Sequence, residues 1–141
     1  PVNEFGVMLN PVELDANGLT IVATNWALPG DVGEINGNVI IVVNEEQLRA
    51  RITNNEDLTG VCTSQVTNMS MLFDGANTFN QDISHWDTTN VTNMQSMFSN
   101  ASVFNQEIGS WDVSNVLQCD GFSYNTPQWT LPQPYFTSCI P

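Results

Sequence analysis

VTNMSMLFDGANTFNQDISHWDTTN, residues 66–90, is followed without a gap by VTNMQSMFSNASVFNQEIGSWDVSN, residues 91–115. Val66, Met69, Phe73, Ala76, Phe79, Ile83 and Trp86 return 25 residues later as Val91, Met94, Phe98, Ala101, Phe104, Ile108 and Trp111. The polar pattern returns too, Asn68 as Asn93, Asn80-Gln81 as Asn105-Gln106 and Asp87 as Asp112. A fixed period in this range marks supersecondary units that bury their apolar faces on one another. The phase runs further in both directions. Leu58 stands one period before Ile83, Asp57 before Asp82 and Leu48 before Phe73. Downstream, Val116 repeats Val91 and Cys119 takes the slot of Met69 and Met94.

Within the second copy Met94, Met97, Phe98 and Ala101 are spaced i, i+3, i+4, i+7, which predicts one face of a helix. Thr92 and Gln95 have the capping-box spacing, with Val91 placed as a hydrophobic staple. FNQEIGSWDV predicts a turn and a short strand. The expected fold class is therefore an α+β repeat. It is a short leucine-rich-repeat-like solenoid with a strand and a short helix in each 25-residue unit. About three units are needed to bury a continuous core, so the flanks are expected to cap the two good ones. The chain divides into an arm at 1–13, a β-rich cap with one helix at 14–57, the solenoid at 58–118 and a cap at 119–141.

The flanks fit capping. LTIVAT (19–24) and NVIIVV (38–43) are strand runs, while Pro29-Gly30 and Asn36-Gly37 mark turns. Asn44 is placed to N-cap a short helix, EEQLRARI. The last segment carries Phe122, Tyr124, Trp129, Tyr135 and Phe136 among prolines, which suits an irregular loop over an apolar end. Cys119 and Cys139 are expected to pin it as a disulfide, worth ~3 kcal/mol for a loop of this length. Cys62 is then free, buried or intermolecular. Phe5, Val7, Met8 and Leu9 make an apolar arm, expected to pack on its own domain or to be donated to a neighbouring subunit.

Composition narrows the function. Charged residues are 12% of the chain, half the usual ~25%. Arg49 and Arg51 face 15 acidic residues, for a net charge of −13. Such a field repels nucleic acid and anionic lipid, which need a cationic surface. No run approaches the ~20 apolar residues of a membrane span, so no membrane insertion is expected. Pro1 opens a polar segment rather than a leader, so a secreted chain is expected in mature or trimmed form. A disulfide implies an oxidising compartment.

The repeats, with the lead-in LDANGLTIVATNWALPGDVGEINGNVIIVVNEEQLRARITNNEDLTGVCTSQVTNMS, resemble the BspA-like leucine-rich repeats of flavobacterial-type surface proteins. The resemblance covers about residues 14–141. It implies a secreted or cell-surface protein with a leucine-rich-repeat-like solenoid, associated with adhesion and not with catalysis.

Candidate chemistry is sparse. His85 is replaced by Ser110 in the second copy, so the repeat does not require it, and no nucleophile pairs with it. Asp57, Asp82 and Glu107, and likewise Asp87 with Asp112, would align along one edge. Stacked carboxylates either bind a cation such as calcium or serve as solvated, backbone-capping groups. No other cofactor is expected. Asn68, Asn90 and Asn100 open Asn-x-Ser/Thr patterns, and Thr88 sits in a sequence resembling an O-glycan acceptor of Bacteroidetes-type secreted proteins. The expected function is an extracellular structural or adhesive module acting through protein–protein contacts, as a homo-oligomer or filament. The alternative is a monomeric module recognising glycan or a host protein through Trp86, Trp111, Trp129 and Tyr135.

Overall fold

The computed structural model describes residues 1–141. β-Branched runs pair where turn residues let them reverse. Strands β1 (Val12–Leu14) and β2 (Ile21–Ala23) form one antiparallel pair, turned through the Asp15–Gly18 loop. β3 (Val32–Ile35) and β4 (Asn38–Val42) form a second, reversing at Asn36-Gly37, where both residues have φ > 0. Two consecutive left-handed residues are what a tight hairpin turn matching the strand twist requires. Helix α1 (Glu45–Thr53) follows, and then β5 (Val61–Cys62), which joins β4 in parallel so that the second sheet runs β3-β4-β5. Asn44 caps α1 with a full capping box. Its Oδ1 accepts from the Gln47 N–H, and Gln47 Oε1 accepts from the Asn44 N–H. Leu48, the only buried residue of the helix, anchors it to the core.

The expected leucine-rich-repeat-like solenoid does not form. The chain contains two small sheets and one short helix, and no helix or strand occurs after Cys62. Only 12 of the 56 backbone–backbone hydrogen bonds lie within helices and strands, so turns and loops hold most of the molecule. The helix expected at Met94–Ala101 is overturned by its own backbone. Ser96 and Asn100 have φ of 52° and 58°, the left-handed region, which ends a right-handed helix at once. Met97, Ser99 and Ala101 donate three residues back, to the carbonyls of Met94, Ser96 and Phe98. The residues between them donate outward. Met94, Ser96, Phe98 and Asn100 reach the carbonyls of Gln118, Asp120, Phe122 and Tyr124. The first copy does the same, from Met69, Met71, Phe73 and Gly75 to Asn93, Gln95, Met97 and Ser99. Thr92 and Gln95 make no capping box. Thr92 Oγ1 donates to Thr67, and the Gln95 N–H goes to Asn93 Oδ1.

The strand expected in FNQEIGSWDV is also absent. Its donors are consumed by turns and side chains, Asn105 N–H by Asn80 Oδ1, Gly109 N–H by Glu107 and Trp111 N–H by the Ile108 carbonyl. Only single-residue parallel bridges link Asn68 to Asn93 and Asn93 to Gln118.

The two copies nonetheless lie against each other. One core runs from Val43 to Trp129, with Phe73, Phe98, Phe104, Trp86 and Phe122 almost fully buried. Phe79 and Phe104 lie parallel at 5.7 Å, and Trp86 and Trp111 at 6.2 Å. Aromatic pairs at such separations add ~1 kcal/mol each beyond their burial. The indole N–H of Trp86 reaches the Leu58 carbonyl, and that of Trp111 reaches Ile83. A smaller core of Val12, Ile21, Ala27, Ile40, Val42 and Cys62 lies under the sheets.

Candidate functional site

The acidic candidates are spent locally. Asp57, Asp82 and Asp112 each accept the N–H and the hydroxyl of the residue two positions on, Thr59, Ser84 and Ser114. These hydroxyl and then N–H bonds hold all three carboxyls below the ordinary aspartate range. Glu107 likewise accepts the Gly109 N–H. Asp87 is buried. Its Oδ2 accepts from Ser64 at 2.6 Å, and its Oδ1 from the hydroxyl and N–H of Thr89. No three His, Cys, Asp or Glu side chains gather as a cation cage; of Asp57, Asp82, Glu107, Asp87 and Asp112, Asp57 and Asp82 line one cleft.

The modification candidates are similarly engaged. Thr88 is buried, with its hydroxyl donating to the Asp112 carbonyl. Asn68 accepts the Ser70 N–H, Asn90 donates to the Ser64 carbonyl, and Asn100 accepts from Asn125. Asn90 is one of a series. Gln65, Asn90 and Asn115, spaced 25 apart, donate their amides to the carbonyls of Ala27, Ser64 and Thr89. Turn asparagines here tie one layer to the one before it.

His85 is partly buried and engaged with the backbone. Its Nε2 lies 3.1 Å from the Val61 carbonyl, and burial holds its pKa below the usual histidine value. It stands at the base of a 560 Å³ cleft between the β1–β2 and β3–β4 hairpins, beside Asp57, Asp82 and Ser84. Cys62 is a buried free thiol, its Sγ 3.5 Å from Ser64 Oγ, and burial raises its pKa. The Cys119–Cys139 disulfide is present, and across it Phe136 packs edge-on against Phe122.

A model of the family described as "Mycoplasma protein of unknown function, DUF285" matches residues 44–133, more than half of the sequence. The chain belongs to the DUF285 family. The family span opens on Asn44, the cap of α1, and takes in every turn-built layer. It leaves the four hairpin strands, the arm and Cys139 outside. No curated protein and no solved structure matches.

Outside the DUF285 span, the 1–13 arm divides. Its end packs on its own domain, with Pro11 and Val12 buried, while residues 1–9 do not. Residues 1–9 close into a hairpin on Asn3, whose Oδ1 accepts the N–H groups of Phe5 and Val7. Phe5 is 82% exposed and Met8 76%, with Val7 and Leu9 exposed as well. The aromatic platform expected of a glycan reader is also lost. Trp86, Trp111 and Trp129 are buried, and only Tyr135 stands free.

Sequence reasoning missed two features. One is the Ser64–Asp87 pair, although Ser64, Thr89 and Ser114 share a slot in the period. The other is Arg49, whose guanidinium bonds the Asn68 and Ser70 carbonyls and so closes the first edge of the repeats. The period carried a signal for the first. Nothing local carried one for the second.

Proposed function

We propose that this DUF285 chain is an extracellular cell-surface module, structural or adhesive rather than catalytic, that works through protein–protein contacts and self-assembles. The observation that carries this reading is the set of large apolar side chains held out in solvent on an ordered hairpin, Phe5, Val7 and Met8. Elsewhere the chain buries most of its large aromatics. A preformed apolar knob is a contact device, because covering it removes apolar surface from water. The disulfide supports an oxidising, extracellular setting. The absence of any helix long and apolar enough to cross a membrane is compatible with it. The resemblance to BspA-like surface proteins points the same way.

Assembly must overcome a net charge of −13 per copy, so it should strengthen with salt. Sedimentation and negative-stain microscopy of the purified chain at low and high salt test the reading. Larger species that grow with concentration and salt are expected. Monodisperse monomer under every condition removes it.

A further inference from the structure

The two ends of the molecule differ from its middle in charge, exposure and hydrogen bonding. Glu4 is the only charged residue in 1–12, and Asp120 the only one in 113–141. The remaining acidic residues lie between, so two copies meeting end to end avoid most of their mutual repulsion. The hairpin of residues 1–9 sits at one end, where Asn10 pairs with the Glu34 backbone on β3. From there the layers succeed one another through β4, β5 and the Asp87 and Asp112 segments, linked by Thr63 and Thr88. The last segment of the series, Cys119–Asn125, takes the N–H bonds of Ser96, Phe98 and Asn100.

That last layer has an open backbone edge. Ser96, Phe98 and Asn100 donate to the layer after them, and so do Met71, Phe73 and Gly75 in the layer before. Their counterparts one period on, Gly121, Ser123 and Asn125, make no such bond. Arg49 satisfies the carbonyls at the other edge of the repeats, but nothing equivalent meets these donors. The segment crossing this end is held by Cys139 on Cys119, by Phe136 on Phe122 and by the Ile108 N–H on the Pro132 carbonyl, and none of its carbonyls takes the N–H of Gly121, Ser123 or Asn125. It leaves Tyr124, Tyr135 and Ile140 exposed, at 68%, 84% and 88%. A row of free N–H groups beside apolar side chains is a template for another chain.

We infer that the partner for this end is the 1–9 hairpin of a second copy. Phe5 and Met8 are exposed there, and their carbonyls accept no hydrogen bond within the chain. The hairpin thus offers acceptors and apolar cover to an end that has donors and bare apolar groups. The contact is heterologous, one end of a copy on the other end of the next, so it propagates. This inference rests on the self-assembly reading and names its two surfaces.

The test uses two doubly substituted chains, Phe5→Ser with Met8→Ser and Tyr135→Ser with Ile140→Ser. All four sites are exposed, so both chains should fold, which near-ultraviolet circular dichroism checks through the buried tryptophans. In sedimentation at high salt each variant alone should remain monomeric, with association weakened at least about tenfold. Mixed one to one, they should stop at a dimer, since only one intact hairpin and one intact end remain. If the hairpin variant assembles as wild type does, or the mixture stays monomeric while wild type assembles, the inference is overturned and self-assembly by another surface stands. If wild type never assembles, both readings fall.

Discussion

The lead-in strands and the repeated segment are built from similar apolar stretches, yet their backbones settle differently. In residues 12–42 each strand pairs with a neighbour in sequence across a short turn. In residues 66–125 the backbone partner is 24 residues away, and left-handed residues recur at Met71, Ser96 and Gly121 and again at Gly75, Asn100 and Asn125. Alternating turns send half of the N–H groups inward and half to the next layer. A helix would have kept nearly all of them to itself. The repeat therefore couples its copies through the backbone without forming strands.

If the repeats are held by that shared core, Phe98→Ala should have the largest effect. Phe98 touches Phe73, Phe104, Phe122 and Trp129. Its removal should cost about 3–5 kcal/mol in urea unfolding. A much smaller loss would mean that the layers stand mainly on their backbone ladder.

Trp129 is next. It occupies the slot of Phe79 and Phe104, and its indole N–H is buried without a partner, unlike those of Trp86 and Trp111. Trp129→Phe removes the orphaned donor, whose burial costs ~1–3 kcal/mol, and should leave the protein as stable or more so. A clear loss would show that the larger ring outweighs its unpaired N–H.

Ser96→Gly probes the left-handed positions. A left-handed L residue costs ~1–2 kcal/mol, and glycine gives back about 0.5–1 kcal/mol in unfolded-chain entropy. A gain of under about 1 kcal/mol is expected, as the native Gly121 in the same slot already suggests. Loss of stability would mean that the Ser96 side chain matters more than its backbone.

The smallest effect concerns His85, at the seam between the two regions. Its pKa is held below 6.5 in the folded chain, by burial first, although the Val61 carbonyl and Asp82 oppose this. The unfolded chain then binds the proton more readily, so this contribution to stability is complete above 6.5 and declines as pH falls towards the folded value. His85→Asn should flatten the stability profile in that window, measured by thermal unfolding across pH. An unchanged slope would assign the decline to other groups.

The period, the buried face of the repeats, the Asn44 cap and the Cys119–Cys139 pair were legible because each is a local or strictly periodic pattern. The helix in each unit was misread because i, i+3, i+4, i+7 spacing describes which side chains turn inward, not how the backbone carries them there. The acidic edge left two readings open, a cation or backbone capping, and alignment in the period could not show that each carboxylate holds the N–H two residues on. Sequence by itself determined the charge, the repeat, the apolar core and the oxidised pair. Tertiary structure alone decided that alternate N–H groups leave their own segment, that Arg49 closes one edge and that the 1–9 hairpin stays uncovered. Each of these depends on where a backbone group finds its partner, and in this fold that partner lies about one full period away.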